Sequence, residues 1–212
     1  MSETTKIDWS PPMPDDQMAA AYQSVQAKLT RTAGGEVRNT LQNFVTALTY
    51  DPIFAGNIRR NLFKERMSIT CSVWWARKSD MIDDMDAAFL RLYLEEHYGL
   101  RSEKLIYPAL NIVSTAQAFH PVRDRLNSLV WDGVPRVRVA LHHFLGAEVS
   151  DTNEKYLRTF MLGAVNRVFH PGCKFELMLV LVGGQGAGKT TFIRFLALES
   201  EWFTDDVSKL DD

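Results

Sequence analysis

Apolar residues recur at helical spacing along most of the chain and predict a series of amphipathic helices. Leu41, Phe44 and Leu48 form one such stripe, which ends at Asp51-Pro52, since proline and the residue before it disfavour a continuing helix. The same spacing, with capping residues at the ends, predicts further helices at about 17–29, 83–98, 102–117, 121–130, 135–145, 151–168 and 191–198. The pattern therefore predicts a mostly helical chain.

Two short stretches favour β-structure instead. Residues 69–75, with the sequence Ile-Thr-Cys-Ser-Val-Trp-Trp, are rich in β-branched and aromatic side chains and predict one strand of a small hairpin. Residues 177–182, Leu-Met-Leu-Val-Leu-Val, form an unbroken apolar run. Such a run is typical of a parallel strand buried on both faces. The predicted fold is α/β, with a mostly helical first half that carries the small hairpin.

A phosphate-binding motif follows the second stretch directly. Residues 183–190, Gly-Gly-Gln-Gly-Ala-Gly-Lys-Thr, fit the pattern G-x-x-x-x-G-K-[ST]. Glycines let the backbone N–H groups of such a loop surround a polyphosphate, the lysine reaches the β- and γ-phosphates, and the hydroxyl ligates magnesium. The candidate nucleotide-binding residues are Gly183, Gly184, Gln185, Gly186, Ala187, Gly188, Lys189, Thr190 and Thr191.

The alternative is a glycine-rich turn that fits this pattern by accident. The order of apolar strand, loop and amphipathic helix argues against it, because a phosphate loop needs that context. We therefore expect ATP as the ligand, with magnesium bound by Thr190. The predicted unit is the first strand, loop and helix of a P-loop NTPase domain.

Composition limits the remaining choices. The 212 residues are 46% hydrophobic and 24% charged, as in an ordinary globular protein, and the net charge is −2. This charge argues against a strongly basic nucleic-acid binder but leaves room for a local basic surface. Cys71 and Cys173 lie far apart, no charged-then-apolar leader opens the chain, and the longest apolar run is too short to span a membrane. We expect a cytoplasmic protein with no membrane partner.

Two stretches carry an excess of basic residues, one around 59–78 and one around 123–138. The first also contains Trp74 and Trp75, and cations interleaved with aromatic rings suit a phosphate backbone with stacked bases. The favoured alternative is a solvated basic edge and charged outer helix faces. The candidate DNA contacts are Arg59, Arg60, Trp74, Arg77, Lys78, Arg123 and Arg136.

The predicted organisation has four parts. Residues 1–34 contain several prolines and a glycine pair and predict a flexible leader with one short helix. Residues 35–118 predict a helical domain with the small β-element, and residues 119–172 a helical connector. Residues 173–212 predict the start of the P-loop ATPase domain.

Several blocks of the sequence together resemble the virulence-associated protein E family. The blocks are His-Pro-Val-Arg-Asp at 120–124, Leu-Val-Trp-Asp-Gly-Val-Pro-Arg at 129–136, Phe-Leu-Gly-Ala-Glu at 144–148, Val-Phe-His-Pro-Gly-Cys-Lys-Phe at 168–175, the phosphate loop, and Glu-Trp-Phe-Thr-Asp at 201–205. The resemblance extends from about Leu41 to the last residue. It implies a DNA-dependent ATPase or helicase, similar to the superfamily 3 replication ATPases of phages and plasmids, that acts as a ring of subunits.

The chain departs from that family after the loop. A P-loop ATPase needs an acidic residue on a second strand, a sensor and an arginine from a neighbour, and only 22 residues follow Thr190. Asp205 and Asp206 follow a segment too short for a buried strand, so neither is expected to replace the acid. We expect a truncated domain with no complete catalytic set, which binds ATP, hydrolyses it poorly and could form a ring only if intact. The alternative is a non-catalytic fragment that binds DNA or a replication protein and keeps a relic loop.

Overall fold

The computed structural model describes residues 16–206. The chain divides into two compact units, Met1–Arg125 and Leu126–Asp212. The predictions for the proline-rich first part of the leader, residues 1–15, lie outside the described residues. Helices predominate, and a two-stranded antiparallel hairpin makes the fold mixed α/β.

The first unit packs helices around one hairpin. Its elements are α1 (Asp16–Lys28), α2 (Leu41–Tyr50), β1 (Ile58–Asn61), β2 (Arg66–Ile69), α3 (Asp84–Tyr98) and α4 (Glu103–Ala116), and α5 (Pro121–Asn127) crosses the boundary to the second unit. The predicted helices at 41–50, 83–98, 102–117 and from Pro121 are confirmed.

Short-range capping explains where these helices begin and end. The Thr40 side chain accepts a hydrogen bond from the Asn43 N–H at the start of α2. Asp83 and Asp86 form a reciprocal capping box at the start of α3, and Gly99 ends that helix in the left-handed conformation. A residue with a Cβ would be strained there, so glycine sets the end of α3.

The core of the first unit lies between α1, α2, α3 and α4. Phe44, Leu48, Leu90 and Leu110 are fully buried in it. The short helix predicted in the leader is present as α1. Its side chains Tyr22 and Val25 are buried in the same core, as is Leu29 directly after the helix. Residues 16–29 are therefore part of the packed unit and not of a flexible leader.

The hairpin lies earlier in the chain than predicted. β1 and β2 pair with Ile58 opposite Ile69 and Asn61 opposite Arg66, whereas residues 70–75 form no strand. The indole of Trp75 donates a 2.6 Å hydrogen bond to buried Asp86 instead. Tertiary packing has overridden the β-propensity of this stretch, which covers the core rather than extending the hairpin.

The second unit has three helices and a short 3-10 turn among its described residues. These are α6 (Val137–Leu145), α7 (Asp151–Phe169), α8 (Lys189–Leu196) and the turn at Ser200–Trp202. Leu141, Leu157 and Phe192, one from each helix, form the buried centre of its core. The helices predicted at 135–145, 151–168 and 191–198 are thus confirmed.

The N-cap of α7 is Ser150, whose side chain accepts a hydrogen bond from the Asn153 N–H. Asp151 and Glu154 each accept a 3.0 Å hydrogen bond from Arg138 on α6. These two carboxylates tie α6 to the first turn of α7.

Residues 177–182 do not form a strand within the described chain. Leu179 and Leu181 pack against the core of the second unit, while Met178 is 83% and Val182 94% exposed. A parallel strand needs a hydrogen-bonded neighbour, and residues 16–206 supply none here. The predicted strand of the P-loop unit is therefore not formed, and the motif residues lead directly into a helix at Lys189–Leu196.

Candidate phosphate-binding loop

The motif residues form an exposed loop that runs straight into α8. This helix begins at Lys189, with Gly188 as its N-cap at φ +79°. Gly186 has φ +81°, so both positions require the left-handed region that glycine tolerates. The sequence pattern and the backbone agree that these two glycines shape the loop.

Lys189 is folded back over the loop that precedes it. Its Nζ donates hydrogen bonds of 2.8 Å to the carbonyl oxygens of both Gly183 and Gly184. The ammonium group therefore lies at the start of the loop, among backbone groups. A phosphate entering the loop would exchange with these two carbonyls as the partner of the ammonium.

Phe192 packs α8 against the core of the second unit. Its side chain is 3% exposed, and its ring lies 5.6 Å from that of Phe144 on α6. A Cβ at Gly188 would meet the Phe144 oxygen and Leu145 at 3.9 Å. The end of α6 thus supports the point where loop and helix join.

A small open cleft lies on one side of this junction. It has a volume of about 310 Å³ and is lined by Leu179, Leu181, Lys189, Thr190, Ile193, Phe203 and Asp205. Thr190 is exposed. The cleft brings a lysine, a hydroxyl and a carboxylate to the walls of one space.

Asp205 is the cleft residue that sequence reasoning set aside. Its carboxylate lies 3.7 Å from the guanidinium of Arg194, a residue of α8. Proximity to Thr190 in the cleft could not be foreseen, because a 3-10 turn at Ser200–Trp202 brings the chain back towards α8. The sequence carries no signal for that turn beyond its aromatic residues.

The candidate DNA contacts fall into different environments. Arg77 is held inside the first unit, where it forms a 2.8 Å ion pair with Asp86 and donates to the Ile69 oxygen. Trp74 packs against the core, with its ring 4.8 Å from that of Trp75. Both side chains therefore contribute to the packing of the first unit, and their contact with a nucleic acid stays a prediction.

The other candidates are nearer the surface. Lys78 is exposed. In the second unit, Arg136 forms a bidentate ion pair with Asp132: its Nη1 and Nη2 donate to Oδ1 and Oδ2 at 2.7 and 2.6 Å. This hydrogen bonding lowers the pKa of Asp132. Arg59, Arg60 and Arg123 belong to the first unit and are described below.

Other chemistry is limited in the described chain. Residues 16–206 contain no group of three or more His, Cys, Asp or Glu side chains placed to hold a metal ion. Cys71 and Cys173 are free thiols. No helix in the described part of the chain combines the length and apolar character that a membrane span requires.

A comparison with protein families matches the second unit. The model of the family described as the virulence-associated protein E-like domain matches residues 126–212, the same residues as the second compact unit. The resemblance that we extended from Leu41 is therefore supported from residue 126 onwards. No curated protein matches the chain significantly.

Proposed function

We propose that this chain is a nucleotide-binding protein of the phage and plasmid replication ATPase type, because the model of the virulence-associated protein E-like domain matches residues 126–212. ATP with magnesium binds at the loop that ends in Lys189. One observation carries this proposal: α8 begins at Lys189, directly after Gly188 and close to Gly186, both of which have positive φ. The start of a helix presents unpaired N–H groups and a positive dipole end, which attract phosphate.

The open surroundings of the loop fit a polyphosphate. A Cβ at Gly184 or Gly186 would meet nothing within 4 Å, so no side chain blocks access to the backbone there. Lys189 already lies against the loop carbonyls and needs only to turn its ammonium group to a phosphate oxygen. The loop then contributes N–H donors and the lysine a single positive charge.

Thr190 is the proposed magnesium ligand. Its hydroxyl belongs to an exposed residue in the first turn of α8 and lines the cleft beside the loop. When bound, magnesium would neutralise phosphate charge and polarise the phosphoryl group. Hydrolysis is slow in this proposal, because the carboxylate that lines the cleft, Asp205, is ion-paired with Arg194 and so poorly placed to orient water.

Calorimetry on the full chain tests the proposal. The variants are Lys189→Ala and, as a matched control, Lys174→Ala, which removes an exposed lysine of the same unit paired with Glu176. We expect Lys189→Ala to weaken ATP binding about 10- to 100-fold, the usual effect of losing a hydrogen bond to a charged group. The control should bind like the wild type.

The nucleotide series adds a second test. A loop that holds the β- and γ-phosphates should bind ATP and ADP tightly and AMP only weakly. Equal heats for the wild type and Lys189→Ala would overturn the proposal. Equal affinity for AMP and ATP would also contradict it, because the loop would then contribute nothing to binding.

A further inference from the structure

We propose that a basic surface of the first unit binds single-stranded nucleic acid. The surface, called here the basic hairpin surface, consists of residues 59–66 and 119–125. Its arginines contact the phosphate backbone, and Phe63 stacks on a base. The proposal is independent of nucleotide binding at the loop before α8.

The structure joins two stretches that are distant in sequence. Asn61 at the end of β1 forms a parallel bridge with Phe119. The Phe119 N–H donates to the Arg60 oxygen, and the Leu62 N–H donates to the Phe119 oxygen, both at 2.9 Å. The hairpin and the segment that leads into α5 therefore form one continuous part of the first unit.

This surface has a strong local charge. It contains the six basic residues Arg59, Arg60, Lys64, Arg66, Arg123 and Arg125, against the two carboxylates Glu65 and Asp124. Its net charge is thus +4 on a chain whose total is −2. A local field of this sign and size attracts a phosphate backbone.

The register of the hairpin brings two of the arginines to one face. Asn61 lies opposite Arg66, and Arg59 lies two residues before Asn61. Side chains two residues apart in a strand, and side chains opposite each other in a pair, point to the same face. Arg59 therefore lies diagonally across from Arg66 on one face of the hairpin, whereas Arg60 points to the other face.

Two of the guanidinium groups are held in place by contacts within the unit. Arg59 lies 4.4 Å from the centre of the Phe119 ring, and its Nε donates to the Gln117 oxygen at 3.4 Å. Arg60 donates to Asn111 at 2.9 Å. Both side chains remain half-buried and so partly accessible, and ordered side chains lose less entropy on binding.

An exposed aromatic ring lies at the tip of the hairpin. Phe63 is 43% exposed, and its ring centre is 5.8 Å from that of His120, which precedes α5. Exposed rings beside arginines are the stacking platforms of single-strand binders, which take bases that no partner strand covers. A duplex hides the faces of its bases, so the aromatic tip favours a single strand.

Fluorescence anisotropy with labelled oligonucleotides tests the proposal on the full chain. The ligands are a 20-nucleotide thymidine strand, the uridine RNA of the same length, and a duplex of the same length. Binding that engages four phosphates should give a slope of log affinity against log salt of about −3. The DNA and RNA arms tell which kind of strand is preferred; either preference supports the proposal.

The key variant is the double change Arg59→Ala with Arg66→Ala. We expect it to weaken binding about tenfold at low salt and to make the salt slope shallower by about 1.4. The double control Arg91→Ala with Arg101→Ala removes the same charge from exposed pairs elsewhere in the unit and should leave both values unchanged. Replacing both surface arginines by lysine should restore most of the affinity.

Phe63→Ala separates stacking from charge. It should weaken binding about tenfold without changing the salt slope, whereas Tyr50→Ala, which removes a 56% exposed ring on α2, should have no effect.

The proposal is overturned if no strand binds, or if the duplex binds more tightly than both single strands. It is also overturned if the control Arg91→Ala with Arg101→Ala weakens binding as much as Arg59→Ala with Arg66→Ala. Lys189→Ala should bind the strands like the wild type.

Discussion

The hydroxyl of Tyr93 donates a 2.7 Å hydrogen bond to Oδ2 of Asp51 inside the core of the first unit. The same oxygen accepts a 2.7 Å bond from Tyr98, and Oδ1 accepts the N–H groups of Ile53 and Phe54 at 2.8 and 3.0 Å. This fully buried carboxylate therefore joins the end of α2 to α3. Burial, and then the charge of Asp51, raises the pKa of both tyrosines.

Replacing this carboxylate should destabilise the first unit. Asp51→Ala leaves two buried hydroxyls and two N–H groups without their acceptor, and we expect a loss of about 3 kcal/mol. Tyr98→Phe removes one hydroxyl only and should cost about 1 kcal/mol. Urea unfolding followed by tryptophan fluorescence measures both. A smaller loss of stability for Asp51→Ala than for Tyr98→Phe would contradict this prediction.

The stability of the first unit should fall in mild acid because of His97. Burial lowers its pKa, against the opposing charges of Glu96 and Asp51, and its ring stacks on Tyr22 with centres 4.6 Å apart. Between the lowered folded pKa and the unfolded value near 6.5, only the unfolded state binds the proton. Stability therefore drops as the pH falls below about 6.5.

The matched variant for this effect is His97→Gln. Urea unfolding at pH 7.5 and at pH 5.5 should show a smaller difference in the variant than in the wild type, since carboxylate contributions are common to both. An identical pH difference would rule out His97 as a source of the acid sensitivity.

Gly163 in α7 should not tolerate alanine. A Cβ at this position would collide with the ring of Phe175. Gly→Ala in a helix normally stabilises by about 1 kcal/mol, but overpacking here should reverse the sign and cost about 2 kcal/mol. Thermal unfolding of Gly163→Ala, Phe175→Ala and the double variant measures the coupling. The double variant should lose less stability than the two single variants lose in sum. Additive losses would contradict the contact between the two positions.

Removing the Thr190 hydroxyl should affect only magnesium-dependent binding. Thr190→Val keeps the shape of the side chain, and we expect ATP affinity in magnesium to fall about tenfold. Affinity measured with a chelator should stay as in the wild type, and Thr190→Ser should behave like the wild type in both conditions. A loss that is equal with and without magnesium would assign Thr190 to phosphate binding instead.

Most helices were predictable because their signals are local. Asp83, Gly99 and Gly146 mark ends that depend on nearby backbone groups, and each lies where the sequence places it. The hairpin was misplaced because β-branched and aromatic residues fit any half-buried surface. In this protein Trp75 bonds to Asp86, a residue of α3, which no local pattern reveals.

The backbone conformation of two glycines in the motif was predictable, but the surroundings of the motif were not. Gly186 and Gly188 have the backbone that the motif requires, because glycine spacing encodes conformation directly. Residues 177–182 have the composition of a buried strand, yet a strand forms only with a neighbour. Arg77 and Trp74 show the same limit, since charge and aromaticity predict a type of contact but not whether the contact is internal.

The exposed row of Met178, Val180 and Val182 also bears on handling the protein in solution. These side chains are uncharged and apolar and lie in a stretch without proline or glycine, the composition of segments that add to one another edge to edge. Light scattering should therefore increase faster than in proportion to concentration. We expect the six residues that lead into the candidate binding loop to contribute to this self-association.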